Sequence, residues 1–345
     1  MYPDGLNNEE EKNASSLFKM TIEEAFSRVA RWLKSDRTHS LNLSNLNLKL
    51  LPDNFPSNFN AVLNCSDNHL TALSLPMATE VDCSNNHLTT LSAPMATEVY
   101  CSDNQLTTLS LPMAIKVYCY DNQLTTLSAP MATVVACSDN QLTALSLPMV
   151  TNLNCSNNQL TTLCLPMANE VNCYRNQLTA LSLPMANEVN CYRNQLTALS
   201  LPMATIVRCS FNQLTTLSLP MANGVRCSNN QLTTLSLPMA NNVDCYNNQL
   251  TCLSAPIATY VDCSNNQLTT LYVPMTTGVN CLDNPIEFRL ACIYPLTKSL
   301  VRHEIIMVSK ACFKLKKLIK QKQIENLVQS QCISKHFKVI LQTTS

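Results

Sequence analysis

The residues with the widest chemical repertoire in this chain are its 18 cysteines. A thiolate can attack an electrophile, bind a soft metal or pair into a disulfide. Thirteen of them recur every 18 residues: Cys65, Cys83, Cys101, Cys119, Cys137, Cys155, Cys173, Cys191, Cys209, Cys227, Cys245, Cys263 and Cys281. Metal sites cluster their ligands at short spacings, and thirteen thiols cannot all pair. An evenly spaced line of thiols reads better as a column of small core hydrophobes, which implies a cytosolic or otherwise reducing compartment. Cys164, Cys252, Cys292, Cys312 and Cys332 lie off the column, and neither Cys164 nor Cys252 has a histidine close in sequence to act as its base. His69 and His87 fill one slot in adjacent copies, where later copies carry Gln, so they should be spatial neighbours. No third ligand is evident beside them, and the plainer reading is a surface substitute for Gln. Gly5, Gly224 and Gly278 are the only glycines, which excludes a glycine-rich phosphate loop. The expectation is a protein that is not an enzyme and holds neither cofactor nor metal.

A column of thiols needs a repeating scaffold, and the sequence supplies one. Three residues after each column Cys comes Asn, from Asn68 to Asn284; five after it comes Leu, from Leu70 to Leu268, with Ile286 last. One copy, starting at Val171, reads V-N-C-Y-R-N-Q-L-T-A-L-S-L-P-M-A-N-E, and residues 169–186 recur unchanged at 187–204. The pattern V-x-C-x-x-N-x-L resembles the leucine-rich-repeat signature L-x-L-x-x-N-x-L, with Val and Cys in the first two apolar slots. Side chains alternate along a strand, so Val171 and Cys173 face one way and Asn172 and Tyr174 the other. Stacked copies then form a parallel sheet whose inner side meets Leu178, Leu181 and Leu183, while the Asn176 amide can bond the backbone of neighbouring turns. The remainder of each copy, T-x-L-S-L-P-M, contains a proline (Pro184 here) that opposes a helix. The predicted fold is a leucine-rich-repeat solenoid with a parallel β-sheet on the concave side, an extended convex side and helical caps at both ends.

The ends depart from the repeat. Residues 1–20 are expected to be flexible. Thr21-Ile22-Glu23-Glu24 forms a capping box that should open a cap helix over 21–37, with Ile22, Phe26, Val29 and Leu33 as its apolar stripe. The solenoid is expected over 38–286, as one irregular first repeat, with Leu46 in the Asn slot, plus thirteen repeats of the 18-residue type. Residues 287–345 should be a basic helical cap or tail, because 285–345 carry 11 Lys and Arg against 3 Asp and Glu. Its Lys314, Lys316, Lys317, Lys320 and Lys322 could contact an anionic membrane or nucleic acid, or simply solvate a cap helix. The acidic, polar opening residues predict no secretory leader, and no apolar run is long enough to span a membrane.

Comparison of the copies with one another locates the variable face. Core slots scarcely change, while the outward strand slots do. Glu80, Asp82, Glu98, Tyr100, Tyr118, Tyr120 and Asp121 form an acidic–aromatic sector. Arg175, Arg193, Arg208 and Arg226, with Tyr174, Tyr192 and Phe211, form a cationic–aromatic one expected to lie on a single concave strip. Asp244, Tyr246, Tyr260 and Asp262 form a second acidic sector. Tyr and Arg dominate binding hot spots, so a protein partner on the concave face is expected.

The stretch Leu41 to Pro56, L-N-L-S-N-L-N-L-K-L-L-P-D-N-F-P, followed by repeated C-S-x-N-x-L-T, resembles the bacterial leucine-rich-repeat effectors of the YopM and IpaH type over residues 20–286. The repeat here is 18 residues with L-S-L-P-M-A, where that family has 20 or so with L-P-x-L-P. The roughly 60 residues after the last repeat are too few for the ubiquitin-ligase domain of IpaH-type members. The resemblance therefore implies a repeat-only scaffold that binds host proteins after delivery by a specialised secretion system. A ubiquitin-ligase activity, or a role for the tail as a membrane or nucleic-acid binder, is the alternative.

Overall fold

The structure, a computed structural model, describes residues 8–285. A helix, Asn8–Lys34, opens the chain, and fourteen short strands then build one parallel sheet in sequence order from Leu41–Asn42 to Gly278–Asn280. Successive strands pair without slippage: Glu170, Val171 and Asn172 face Glu188, Val189 and Asn190 of the next copy. The middle residue of each strand points inward. Val171 is buried between half-open Asn172 and exposed Glu170, and Cys173 is buried immediately beyond. Each strand after the first is thus three residues ending one before the column Cys, in the alternation that period 2 requires.

The convex side is extended, as Pro184 and its equivalents require. Triplets such as Ala180–Ser182 and Ala198–Ser200 pair in parallel as small secondary sheets, with their leucines directed into the core. Between the two sides lies one continuous core in which Leu178, Leu183, Val189 and Cys191 are closed to solvent. The asparagines lock the coils together. Asn176 donates from Nδ2 to the carbonyls of Cys173, 3.2 Å, and Cys155 of the preceding coil, 3.0 Å; its Oδ1 accepts from the Leu160 N–H at 3.0 Å. The same triangle recurs from Asn86 to Asn284. Each buried amide therefore satisfies backbone groups that no strand ladder reaches.

The amino-terminal boundaries differ from expectation. The helix runs over Asn8–Lys34, so Thr21 does not open it and residues 8–20 are part of it. No Gly or Pro interrupts the chain between Gly5 and Pro52, so nothing in the sequence stops a helix from running through this stretch. Thr21 therefore sits in the helix interior, with no free terminal N–H groups to cap. Glu24 turns instead to Arg28 at 2.8 Å and Arg31 at 3.2 Å. The buried stripe is Ala25, Val29 and Trp32, with Ile22 and Leu33 at its edge. Trp32 stacks obliquely on Phe59, 4.9 Å between centroids, and donates its indole N–H to the His39 carbonyl at 2.8 Å. Ala25, Val29 and Trp32 thus belong to the same core as Leu41, Leu43 and Phe59. The carboxy-terminal cap and its five lysines lie outside the described residues.

Candidate functional site

Three rows of outward side chains run across the concave sheet. The row before the column Cys reads Asp82, Tyr100, Tyr118, Ala136, Asn154, Asn172, Asn190, Arg208, Arg226, Asp244 and Asp262, each beside the next. Glu80, Glu98, Lys116, Glu170, Glu188 and Tyr260 belong to the row two residues earlier. Tyr174, Tyr192 and Tyr246 follow the Cys directly, at the sheet margin.

The cationic sector is two clusters, not the single strip expected. Arg208 and Arg226 are exposed partners on adjacent strands. Arg175 and Arg193 sit two residues after their Cys, where the backbone turns out of the strand with φ of 53° and 54°. Sequence spacing assigns each residue to a slot but does not show that the two slots lie on opposite sides of the strand end. Arg193 packs its guanidinium over Tyr192 at 5.2 Å and over Phe211 at 5.5 Å, and those two rings meet edge-on at 5.2 Å. The result is a compact cation–aromatic knob spanning two coils.

This knob stands on an unfavourable backbone. Every copy turns through a positive φ at that slot, and ten of the thirteen fill it with Asn or Asp. Those side chains tolerate the left-handed region; Arg and Phe have no such local hydrogen bond to offset its cost of roughly 1 kcal/mol per residue. Arg175, Arg193 and Phe211 are the three exceptions, and they are consecutive.

The first acidic sector is partly neutralised. Lys116 reaches Glu98 at 2.8 Å and the Tyr100 hydroxyl donates to the same carboxylate at 3.0 Å, while the Tyr100 and Tyr118 rings stack 4.9 Å apart. The Lys116 ammonium and the Tyr100 hydroxyl hold Glu98 below the usual carboxylate range, and burial with the Glu98 bond pushes Tyr100 up to about 12. Lys116, unassigned in the sequence, is what organises this sector. In the second, Asp244 is drawn above the carboxylate range by burial and by Asp262 beside it, and its Oδ1 lies buried without a hydrogen bond. Arg226, its neighbour on the other side, partly offsets this.

Between the charged sectors lies a groove of about 350 Å³, lined by Ala136, Asn152, Asn154, Glu170, Asn172, Glu188, Asn190 and Arg208 among others. Of these only Arg208 stood out in the sequence.

The off-column thiols Cys164 and Cys252 are exposed on the convex side, whereas Cys65 to Cys263 along the column are buried and unpaired. Burial pushes Cys101, Cys137, Cys173 and Cys209 up to about 12. Since the thiolate is the reactive form, native protein treated with iodoacetamide near neutral pH should be alkylated rapidly at Cys164 and Cys252 and far more slowly along the column. Peptide mass spectrometry reads this; rapid labelling of Cys173, or a disulfide within the column, would refute the packing role.

Among the described residues, no group of three His, Cys, Asp or Glu side chains is placed to hold a metal ion, and no helix is long and apolar enough to cross a membrane. No protein-family model matches the chain, and no curated protein matches it in sequence. Solved structures do. YopM from Yersinia pestis, described as a leucine-rich effector protein, matches over 81% of this chain and 84% of its own, with 25% identity and a TM-score of 0.50. The chain is a leucine-rich-repeat solenoid. YopM from Yersinia enterocolitica matches over 70% of this chain at 22% identity and a TM-score of 0.53, and this chain spans 63% of its length. The functional domain of InlJ from Listeria monocytogenes matches 52% of this chain and 54% of its own at 26% identity and a TM-score of 0.40.

Proposed function

We propose that this leucine-rich-repeat protein is a non-enzymatic scaffold that binds a partner protein on its concave face, as a bacterial effector acting on host proteins. The observation that carries the reading is the run of Arg175, Arg193 and Phe211 at left-handed turns. Three consecutive copies accept a backbone cost that ten others avoid, and local strain of this kind is characteristic of binding sites. The similarity to a Yersinia pestis effector supports the same class of role. The knob of Tyr192, Arg193 and Phe211 is the anchor, Arg208 and Arg226 steer an acidic patch on the partner, and the flanking Glu80, Asp82 and Asp262 favour basic groups around it.

Surface-plasmon kinetics against a partner captured from host lysate test this. Arg208→Glu combined with Arg226→Glu should slow association about tenfold and flatten its salt dependence. Tyr192→Ala should leave association nearly unchanged and speed dissociation by about 30-fold, the effect of a hot spot of roughly 2 kcal/mol. If both variants bind like the wild type while removal of residues 287–345 abolishes binding, the basic tail is the binding element instead.

A further inference from the structure

The thirteen copies differ at one slot in a way that the concave face does not explain. Four residues after the column Cys, ten successive copies from Gln105 to Gln267 carry Gln, but the first two carry His69 and His87. The expectation of mere substitution was incomplete, because the fold sets the two imidazoles against each other. His69 Nδ1 lies 3.3 Å from His87 Nε2, and the rings stack at 5.3 Å with 26° between their planes. Both side chains are exposed.

We propose that His69 and His87 form a two-imidazole chelate for a late divalent transition-metal ion, of the Ni²⁺, Cu²⁺ or Zn²⁺ class, on the flank of the solenoid. Imidazole nitrogen suits these ions. With metal–nitrogen bonds of about 2.1 Å, two adjacent ligands on one ion stand roughly 3.0–3.4 Å apart, and the observed separation falls in that range. In the metal-free pair this approach is a nitrogen–nitrogen hydrogen bond, and a bound ion would take the place of its proton between the same two atoms.

The backbone beneath both rings is fixed in advance. The His69 N–H donates to the Leu48 carbonyl at 2.8 Å and the His87 N–H to the Leu70 carbonyl at 2.9 Å, so each imidazole grows from a laddered coil. Little conformational freedom of the main chain remains to be lost on binding. Because no third His, Cys, Asp or Glu among the described residues joins the pair, the other coordination positions fall to water or to a donor from a partner. Such a site is open, unlike a closed structural zinc site. It lies away from the cation–aromatic knob, and its test is independent of the concave-face reading.

The repeat itself supplies the test substitution. Gln occupies this slot in ten copies, so His69→Gln and His87→Gln place a residue that the coil already accepts. Titration of the reduced full-length chain with Ni²⁺, followed by calorimetry, should show one site that each single variant weakens by about 10²-fold, as expected when a two-point attachment becomes one-point. Ni²⁺ should also raise the melting temperature of the wild type and not of either variant. In the wild type, Ni²⁺ should protect His69 and His87 together from diethylpyrocarbonate, read by mass spectrometry. The proposal fails if the single variants bind Ni²⁺ as tightly as the wild type, if each loses only half of a weak two-site signal, or if neither histidine is protected.

Discussion

Raising the pH above 9 should unfold this solenoid cooperatively. The cause is the buried thiol column. Cys101, Cys137, Cys173 and Cys209 ionise near 9.0 when free in water and near about 12 in the fold, because burial penalises the thiolate. Between those limits the unfolded chain has lost protons that the folded chain keeps, so unfolding becomes more favourable as pH rises. The stability is complete below 9.0 and is lost progressively toward 12. Each thiol contributes about 1.4 kcal/mol per pH unit, so these four together remove roughly 5 kcal/mol per unit, comparable to the whole stability of many domains. Cys83, Cys119, Cys155, Cys191 and Cys227 are raised in the same direction and steepen the loss. Far-UV circular dichroism should lose its β signal before about pH 11, with thiolate absorption rising in step. Replacing Cys101, Cys137, Cys173 and Cys209 by Ala should lower the melting temperature at pH 7 yet move the alkaline midpoint upward. Thiolate formation without unfolding would show that the column is accessible and the packing account wrong.

Removing one rung of the asparagine ladder should damage two coils at once. Asn176→Ala strips the acceptor from the Leu160 N–H and the donor from the carbonyls of Cys155 and Cys173. Each orphaned buried group costs roughly 1–3 kcal/mol, so the loss of all three should cost about 3 kcal/mol or more. Asn176→Asp should be no better, since a carboxylate can still accept from Leu160 but sets an anion against two carbonyls. Leu178→Ala, which opens a cavity at a side chain closed to solvent, should cost a similar 2–5 kcal/mol, about as much as other buried Leu truncations. The exposed neighbour Gln177→Ala should stay within about 0.5 kcal/mol of wild type. Urea midpoints read the stabilities, and hydrogen exchange reads the mechanism: the Leu160 amide, one coil away from the substitution, should lose protection in Asn176→Ala. An unchanged urea midpoint with normal protection at Leu160 would remove the ladder from the account of stability.

The period of 18, the inward Val, Cys and Leu slots and the bonding role of Asn176 were legible in the sequence, because a solenoid core is made by contacts between the same slot in successive copies. In such a fold, sequence periodicity is also spatial periodicity, and a slot that never varies is a slot that stacks on itself. The extended convex side followed from proline in the same way. Local geometry across slots was not legible. That Arg175 and Arg193 leave the strand at a positive φ, while Arg208 and Arg226 stay on it, depends on how the chain turns after the Cys. The stacking of Arg193 on its chain neighbour Tyr192 and on Phe211 of the next coil, and the capture of Glu98 by Lys116 beside it, depend on side-chain directions that the repeat pattern does not carry. The extension of the helix back through Asn8 was not legible because a capping motif carries its meaning only where a helix terminus leaves N–H groups free. The sequence alone determined which side chains repeat and which face inward. The tertiary structure decided which outward side chains meet, because those contacts depend on distances between coils that a one-dimensional pattern does not contain.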